Sequence, residues 1–255
     1  MGVVNVTPDS FSDGGLFLAR ETALAQAKKL VADGADIVDV GAESTRPGHV
    51  PVSPEEEWRR LELLLACLVE EAGAPVSIDT YKAETARRAL AAGVVMINDV
   101  WGLQRDSAMA RVIGDARALV VIMHNREVTE EGIDIVDDML RFFERSLEAA
   151  DRAGVAERYI LLDPGVGFGK TRAQNYAALR AIPQLRRLGF PVLVGVSRKS
   201  IFRDLSGERM DGRLIGTLAA NIVAAGLGAQ LFRVHDALEH KSAFAVLEAL
   251  HFGEQ

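Results

Sequence analysis

Eight short apolar runs recur along the chain, at residues 2–6, 36–40, 75–79, 94–98, 118–123, 159–163, 191–196 and 230–234. Longer stretches separate them, at 20–32, 54–72, 82–92, 107–113, 135–153, 173–188, 213–225 and 238–250. Ala, Leu, Glu and Arg dominate these stretches, and all four favour helix. The runs have strand length and the intervals have helix length. Punctuation agrees with that division. Ser53-Pro54-Glu55-Glu56 supplies an N-cap, a proline for the first helical position and acids for the first turn. Gly34, Gly93, Gly154, Gly189 and Gly228 each follow a helical stretch, where a left-handed cap is wanted.

Strand–helix alternation predicts a parallel sheet with right-handed crossovers. Runs such as 119–123 and 192–196 are apolar throughout, as strands covered on both faces are. Two architectures fit eight such units: a closed barrel and an open doubly wound sheet. The residues at or just past the run ends are Asn5, Asp39, Asp79, Asn98, His124, Asp163, Ser197 and Arg233. All eight are polar. A barrel brings eight such ends to one mouth, whereas an open sheet gathers only those beside its switch point. The expected fold is therefore a single-domain (β/α)₈ TIM barrel over residues 1–255, with its site at the C-terminal mouth of the strands. The length suits it, since such barrels take about 250 residues. The first strand begins almost at residue 1, so a short segment plugging the barrel bottom is expected to be missing.

The formal net charge of −7 argues against a nucleic-acid partner, which would call for a basic face. Cys67 is the one cysteine, so no internal disulfide forms, which fits a reducing compartment. No apolar run approaches the about 20 residues that span a bilayer. Asn5, Pro8 and Asp9 interrupt any signal-peptide pattern. A cytoplasmic protein without membrane contact is expected.

Several loops carry candidate chemistry. In the first, Asn5 offers an amide oxygen, and Asp9 and Asp13 offer carboxylates, hard ligands of the kind Mg²⁺ takes. A turn whose side chains bond its own backbone reads the same way, and spacing leaves both open. Arg46, in Glu43-Ser44-Thr45-Arg46-Pro47-Gly48, presents a fork suited to phosphate oxygens, against the plainer reading of a polar turn. Asp79, Asn98 and Asp163 end three strands. Converging, they can read a flat heterocycle with adjacent N–H donors, such as the 2-amino-4-oxo edge of a pterin. The glycine-rich run 165–170 lacks the G-x-x-x-x-G-K-[ST] spacing of a phosphate loop. It reads as a tight turn that lets a ligand come close. Phe168 at its tip covers either an aromatic ring or the core.

Ser197-Arg198-Lys199-Ser200 follows the seventh run. Lys199 is solvated charge, a donor to a ligand carbonyl, or, if desolvated, a Schiff-base amine. Arg233 and His235 lie two apart, so they share a side. Arg233 sits among apolar neighbours and needs an anion beside it, a role a phosphate would fill. His124 has no evident partner and reads as structural.

Together these segments resemble the dihydropteroate synthases. The resemblance rests on residues 1–15, Gly41-Ala42-Glu43-Ser44-Thr45-Arg46-Pro47-Gly48, Ser77-Ile78-Asp79-Thr80, Ile97-Asn98-Asp99, Leu162-Asp163-Pro164-Gly165 with Gly167-Phe168-Gly169-Lys170, Ser197-Arg198-Lys199-Ser200 and Arg233-Val234-His235-Asp236. These appear in the family's order over nearly the whole chain. The resemblance implies a transferase that condenses 6-hydroxymethyl-7,8-dihydropterin pyrophosphate with p-aminobenzoate, giving 7,8-dihydropteroate and pyrophosphate in folate synthesis. It implies that Asp79, Asn98 and Asp163 hold the pterin, with Lys199 at its carbonyl edge. It assigns Asn5, Arg233 and His235 to the pyrophosphate, with Mg²⁺ near Asn5 and Asp13. It assigns Thr45, Arg46 and Pro47, with Phe168 and Ser200, to the p-aminobenzoate pocket. The fifth loop, Met123-His124-Asn125-Arg126-Glu127, departs from the family pattern, and Val166 is a variable position. The sulfonamides that target this family find the same pattern in sensitive and insensitive members, so sensitivity stays open.

The implied chemistry is an SN1-like loss of pyrophosphate, with Asp79, Lys199, Arg233 and His235 as catalytic groups. Three other readings share some of these residues: a methyltetrahydrofolate methyltransferase barrel, a Schiff-base aldolase using Lys199, and a non-catalytic pterin-binding module. The intact first two loops favour the synthase. A homodimer through the apolar late helices, especially 218–227, is expected by resemblance; a buried barrel helix reads the same.

Overall fold

The structure is a computed structural model that describes residues 1–5, 15–43, 51–202 and 210–252. In chain order the elements are β1 (Gly2–Asn5), α1 (Gly15–Ala32), β2 (Val38–Gly41), α2 (Pro54–Glu71), β3 (Val76–Asp79), α3 (Ala83–Ala91), β4 (Met96–Asp99), α4 (Met109–Ala116), β5 (Leu119–Met123), α5 (Ile135–Arg152), β6 (Ile160–Asp163), α6 (Arg172–Arg180), α7 (Ile182–Arg186), β7 (Leu193–Val194), α8 (Met210–Gly226), β8 (Leu231–Phe232) and α9 (Ala237–Phe252). Strands β1 to β6 pair in sequence order, all parallel, and β7 pairs with β8. A bridge joins Leu162 to Val192, and another joins Gly2 to Val234. Val3 N donates to Val234 O and Val234 N to Met1 O, each at 2.9 Å. Those bonds close the ring, which excludes the open sheet and leaves the (β/α)₈ barrel.

Helix starts and stops follow local chemistry. Ser53 Oγ accepts from Glu56 N at 3.1 Å, and Pro54 opens α2. Gly93 ends its helical segment at φ +101°, where an added Cβ would sit 2.8 Å from Val69. Thr171 and Gln174 form a reciprocal capping box at the head of α6, so that helix starts before residue 173. The stretch expected as one helix over 173–188 is two helices. Pro183 has no N–H to donate back along the turn and breaks it. The seventh and eighth strands are shorter than the apolar runs that predicted them.

Strand parity divides the core. Val38, Val40, Ile78, Ile97, Val120, Ile122, Leu162, Val192 and Val194 belong to the large cluster that includes the helix residues packed outside the barrel. The other parity holds Met1, Met96, Val121 and Leu193, with Ile37, Leu119, Leu161 and Leu231 packed against them. That second cluster fills the barrel interior. Two residues further along β2, β4, β6, β7 and β8, on the same parity, stand Asp39, Asn98, Asp163, Gly195 and Arg233, with Asp79 two past Ser77 on β3; β1 and β5 carry Val3 and Met123 there. The polar mouth is therefore the next interior layer above an apolar floor.

Leu193→Ala, which opens a void in the interior, is expected to cost about 2–5 kcal/mol in urea unfolding. Leu63→Ala, at a site 63% exposed, should change stability by about 0.5 kcal/mol or less.

Candidate active site

Arg233 organises the mouth. Its Nε donates to Asp39 Oδ2 at 2.6 Å, and an Nη donates to Asp79 Oδ2 at 3.0 Å. The anion that the sequence demanded for Arg233 is thus supplied by the protein, and a phosphate is not needed to hold the guanidinium. Asp39 was legible as a polar strand end but not as part of the site. Both carboxylates are buried, and each keeps a second oxygen, Oδ1, without a partner. Burial works against the Arg233 charge, yet Asp39 and Asp79 outweigh it and raise its pKa. Burial dominates at Asp79 and pushes it up to about 7; Arg233 opposes this and Asp39 adds to it. Two acids share one cation, so the second acid adds to the rise that burial causes.

Asn98 lies in register beside Asp79. It is buried, and its Oδ1 has no partner. Asp163 is likewise buried, with Oδ1 accepting from Gly165 N at 2.7 Å. Burial raises its pKa, against the pull of Gly165 N–H, Lys199, Lys170 and Arg233. Gly195 shows how close these groups come. A Cβ there would sit 3.6 Å from Asp163 Oδ2 and 3.9 Å from Arg233 Cβ. Asp163 and Arg233 therefore face one space, which Gly195 leaves open.

Lys199 joins them. Its Nζ donates to Val166 O and lies 4.5 Å from the centre of the Phe168 ring. Burial lowers its pKa to about 8, with Asp163 the main opposing charge. His235 leans on Ser197: the hydroxyl oxygen accepts from His235 N at 3.1 Å and lies 2.9 Å from Nδ1. That contact fixes the orientation of the imidazole ring. Ser200 is exposed at the head of the short 3₁₀ turn Ser200–Phe202. Asp79, Asn98, Asp163, Lys199, Phe168 and Arg233 are thus gathered at one end of the barrel. Thr45, Arg46, Pro47, Asp13 and the Asn5 side chain lie outside the described residues.

The root of the second loop is held from below. Glu43 accepts from Lys82 Nζ, from Tyr81 OH at 2.7 Å and from Val52 N at 3.4 Å. Lys82 also reaches Glu57 at 3.1 Å. Residues 43 and 52 are so tied to the turn that follows Asp79.

Two further expectations are corrected. His124 does have a partner: its Nε2 lies 3.1 Å from Asp138 Oδ2, with Phe142 edge-on at 4.9 Å. Burial lowers its pKa to about 3. The role remains structural. Arg198, which beside Lys199 reads most plainly from the sequence as solvated charge, is instead paired: its fork clamps Asp236, with Nε to Oδ2 at 3.0 Å. Among the described residues no cluster of His, Cys, Asp and Glu is arranged to hold a metal.

Comparison with known proteins reads this geometry the same way. The family described as pterin binding enzyme matches residues 1–235. A dihydropteroate synthase of Clostridium beijerinckii is 43% identical over 95% of this chain and 90% of its own. A Clostridium difficile dihydropteroate synthase, solved in the presence of pteroic acid, superposes with a TM-score of 0.93 at 47% identity, over 98% of this chain and 95% of that one. A Xanthomonas albilineans dihydropteroate synthase, solved with 4-aminobenzoic acid, gives 0.92 at 43% identity, over 99% and 92%. With four carboxyl and amide groups, a half-buried lysine and a clamped arginine at the mouth of its barrel, the chain belongs to the dihydropteroate synthase family of pterin-binding enzymes.

Proposed function

We propose that this chain condenses 6-hydroxymethyl-7,8-dihydropterin pyrophosphate with p-aminobenzoate, releasing 7,8-dihydropteroate and pyrophosphate. The observation that carries the proposal is the convergence of Asp79, Asn98, Asp163, Lys199 and Arg233 on one cavity floored by apolar side chains. Carboxylates with spare oxygens accept the paired N–H groups of a pterin edge. Lys199 donates to the ring carbonyl. The arginine and His235 face the charge that develops on the leaving pyrophosphate.

The bond between the exocyclic methylene and the pyrophosphate oxygen breaks, and both electrons leave with the pyrophosphate. The methylene is left cationic, in conjugation with the pterin. Asp79, ionised, stabilises that charge at short range. The aniline nitrogen of p-aminobenzoate then attacks and loses its proton. No protein nucleophile is required. Burial of the site limits competing attack by water. Thr45, Arg46, Pro47, Phe168 and Ser200 would receive the p-aminobenzoate. Mg²⁺ would be held by Asn5 and Asp13, whose hard oxygens suit it, and would supply charge stabilisation at the leaving group. Exposed Ile215 and Val223 on α8, with Leu238, Val246 and Leu250 on α9, support a homodimer through these helices. No described helix is long and apolar enough to cross a membrane, in keeping with a cytoplasmic setting.

The deciding assay follows pyrophosphate release from the pterin pyrophosphate with and without p-aminobenzoate and Mg²⁺. Release that depends on both is expected, and none under any condition refutes the function. Asp79→Ala should lower kcat by about 10²–10³-fold; near-wild-type turnover would remove Asp79 from the mechanism. The acid limb of kcat/KM should fall near the Asp79 midpoint of about 7. Asp39→Asn gives Asp79 sole claim on Arg233 and removes a negative neighbour, so the limb should move to lower pH. An unmoved limb would show that another group sets it.

A further inference from the structure

The glycine turn after β6 ends in a cation that the chemistry above does not use. Lys170 is 8% exposed. Its Nζ donates to Gly165 O at 2.8 Å, Phe168 O at 3.1 Å and His124 O at 3.3 Å. All three ammonium protons therefore go to main-chain carbonyls. Burying an ammonium on neutral oxygens alone is costly, and an apolar side chain could fill the same space.

The surroundings show what the charge achieves. The turn is pressed onto the tail of β5. A Cβ on Gly165 would sit 1.7 Å from His124 O, and one on Gly169 would sit 2.4 Å from Arg126 O. Both glycines have positive φ, at 65° and 55°. The glycines are thus explained by backbone meeting backbone, and the lysine by the carbonyls that this contact crowds together. The same turn serves the cavity. Gly165 N–H holds Asp163 Oδ1, Val166 O receives Lys199 Nζ, and the Phe168 ring lies beside that ammonium. A Cβ on Gly167 would stand 3.1 Å from Lys199 Cδ. Asn175, at the start of α6, braces the turn without charge: its Oδ1 accepts from Gly167 N at 2.6 Å, and its Nδ2 donates to Lys170 O and Thr171 O.

We propose that Lys170 is a positioning residue for pterin binding: by gathering the carbonyls of Gly165, Phe168 and His124 on one ammonium, it sets the turn that aligns Asp163 and Lys199. The proposal rests on the function inferred above and adds to it a residue that touches no substrate. Burial lowers its pKa to about 7, so its charge is present on the acid side of neutrality and acts across the turn there. Lys170 faces Asp163 on β6, Lys199 after β7, Asp138 on α5 and Arg126 after β5. Asp163 faces Lys170, Lys199 and Arg233. Removing the Lys170 charge leaves Asp163 harder to ionise.

The test titrates the full-length protein with fluorescent 6-hydroxymethylpterin from acid to neutral pH, in wild type, Lys170→Met and Asn175→Ala. Lys170→Met is expected to weaken binding about tenfold or more, with its acid limb moved to higher pH. Asn175→Ala is expected to weaken binding while keeping the acid limb of the wild type, because it disturbs the turn and removes no charge. A folded Lys170→Met with wild-type affinity and an unmoved limb overturns the proposal. Should Lys170→Met fail to fold, Asn175→Ala decides, and unchanged affinity there overturns it. Wild-type protein that binds no pterin at any pH would instead overturn the functional reading.

Discussion

The mouth of this barrel depends on one shared guanidinium. Arg233 on the last strand reaches across the ring to Asp39 on the second and Asp79 on the third. A lone buried charge at any of these positions would be strongly destabilising, because its hydration is lost with nothing in return. Together they are tolerable, and the tolerance requires the barrel to be closed. The first and last strands must meet before the arginine has carboxylates to bond. Closure of the fold and assembly of the cavity are therefore one event. Burial, with Asp39 adding to it against Arg233, is what lifts Asp79 toward neutrality, so the chemistry of the mouth follows from the depth at which the fold sets these charges.

The strands obey a division of labour set by their two-residue period. One parity packs under the helices; the other fills the interior and, one step higher, changes from apolar to polar. That change sets a cavity with many ionisable groups on an apolar floor. Met96, Val121 and Leu193 seal the layer under it. The turns then orient what the strands position. The glycine turn after β6 carries contacts to both Asp163 and Lys199, and the Glu43–Lys82–Glu57 network ties the foot of the second loop to the turn beyond Asp79.

Much of this was legible in the chain. The eight strands were, because each is a short β-rich run with a polar terminus, and barrel closure follows from the fact that all eight termini are polar. That Asp79, Asn98, Asp163 and Arg233 share one mouth was readable because strand ends converge in this fold; Lys199 came with the family resemblance. What sequence reasoning missed were pairings. Asp39 and Arg233 are 194 residues apart, and no local pattern signals that a phosphate-like partner for the arginine is already present. His124 and Asp138 meet only because α5 folds back over the tail of β5. Pro183 is a readable break inside the predicted 173–188 helix, and Thr171-Arg172-Ala173-Gln174 a readable cap; helix-forming composition alone passes over both. The run 165–170 was readable as a tight turn and not a phosphate loop, but nothing local shows that backbone carbonyls take the whole Lys170 ammonium.

The layering has a consequence for how such a protein can change. Asp39, Asp79 and Arg233 fill space that similarly sized apolar side chains could fill with no ions to strip of water, and exchanges of that kind are often neutral or stabilising. An inert, sturdier barrel is thus a few substitutions away from the working one. Selection for foldedness alone would erode the mouth first and the floor last.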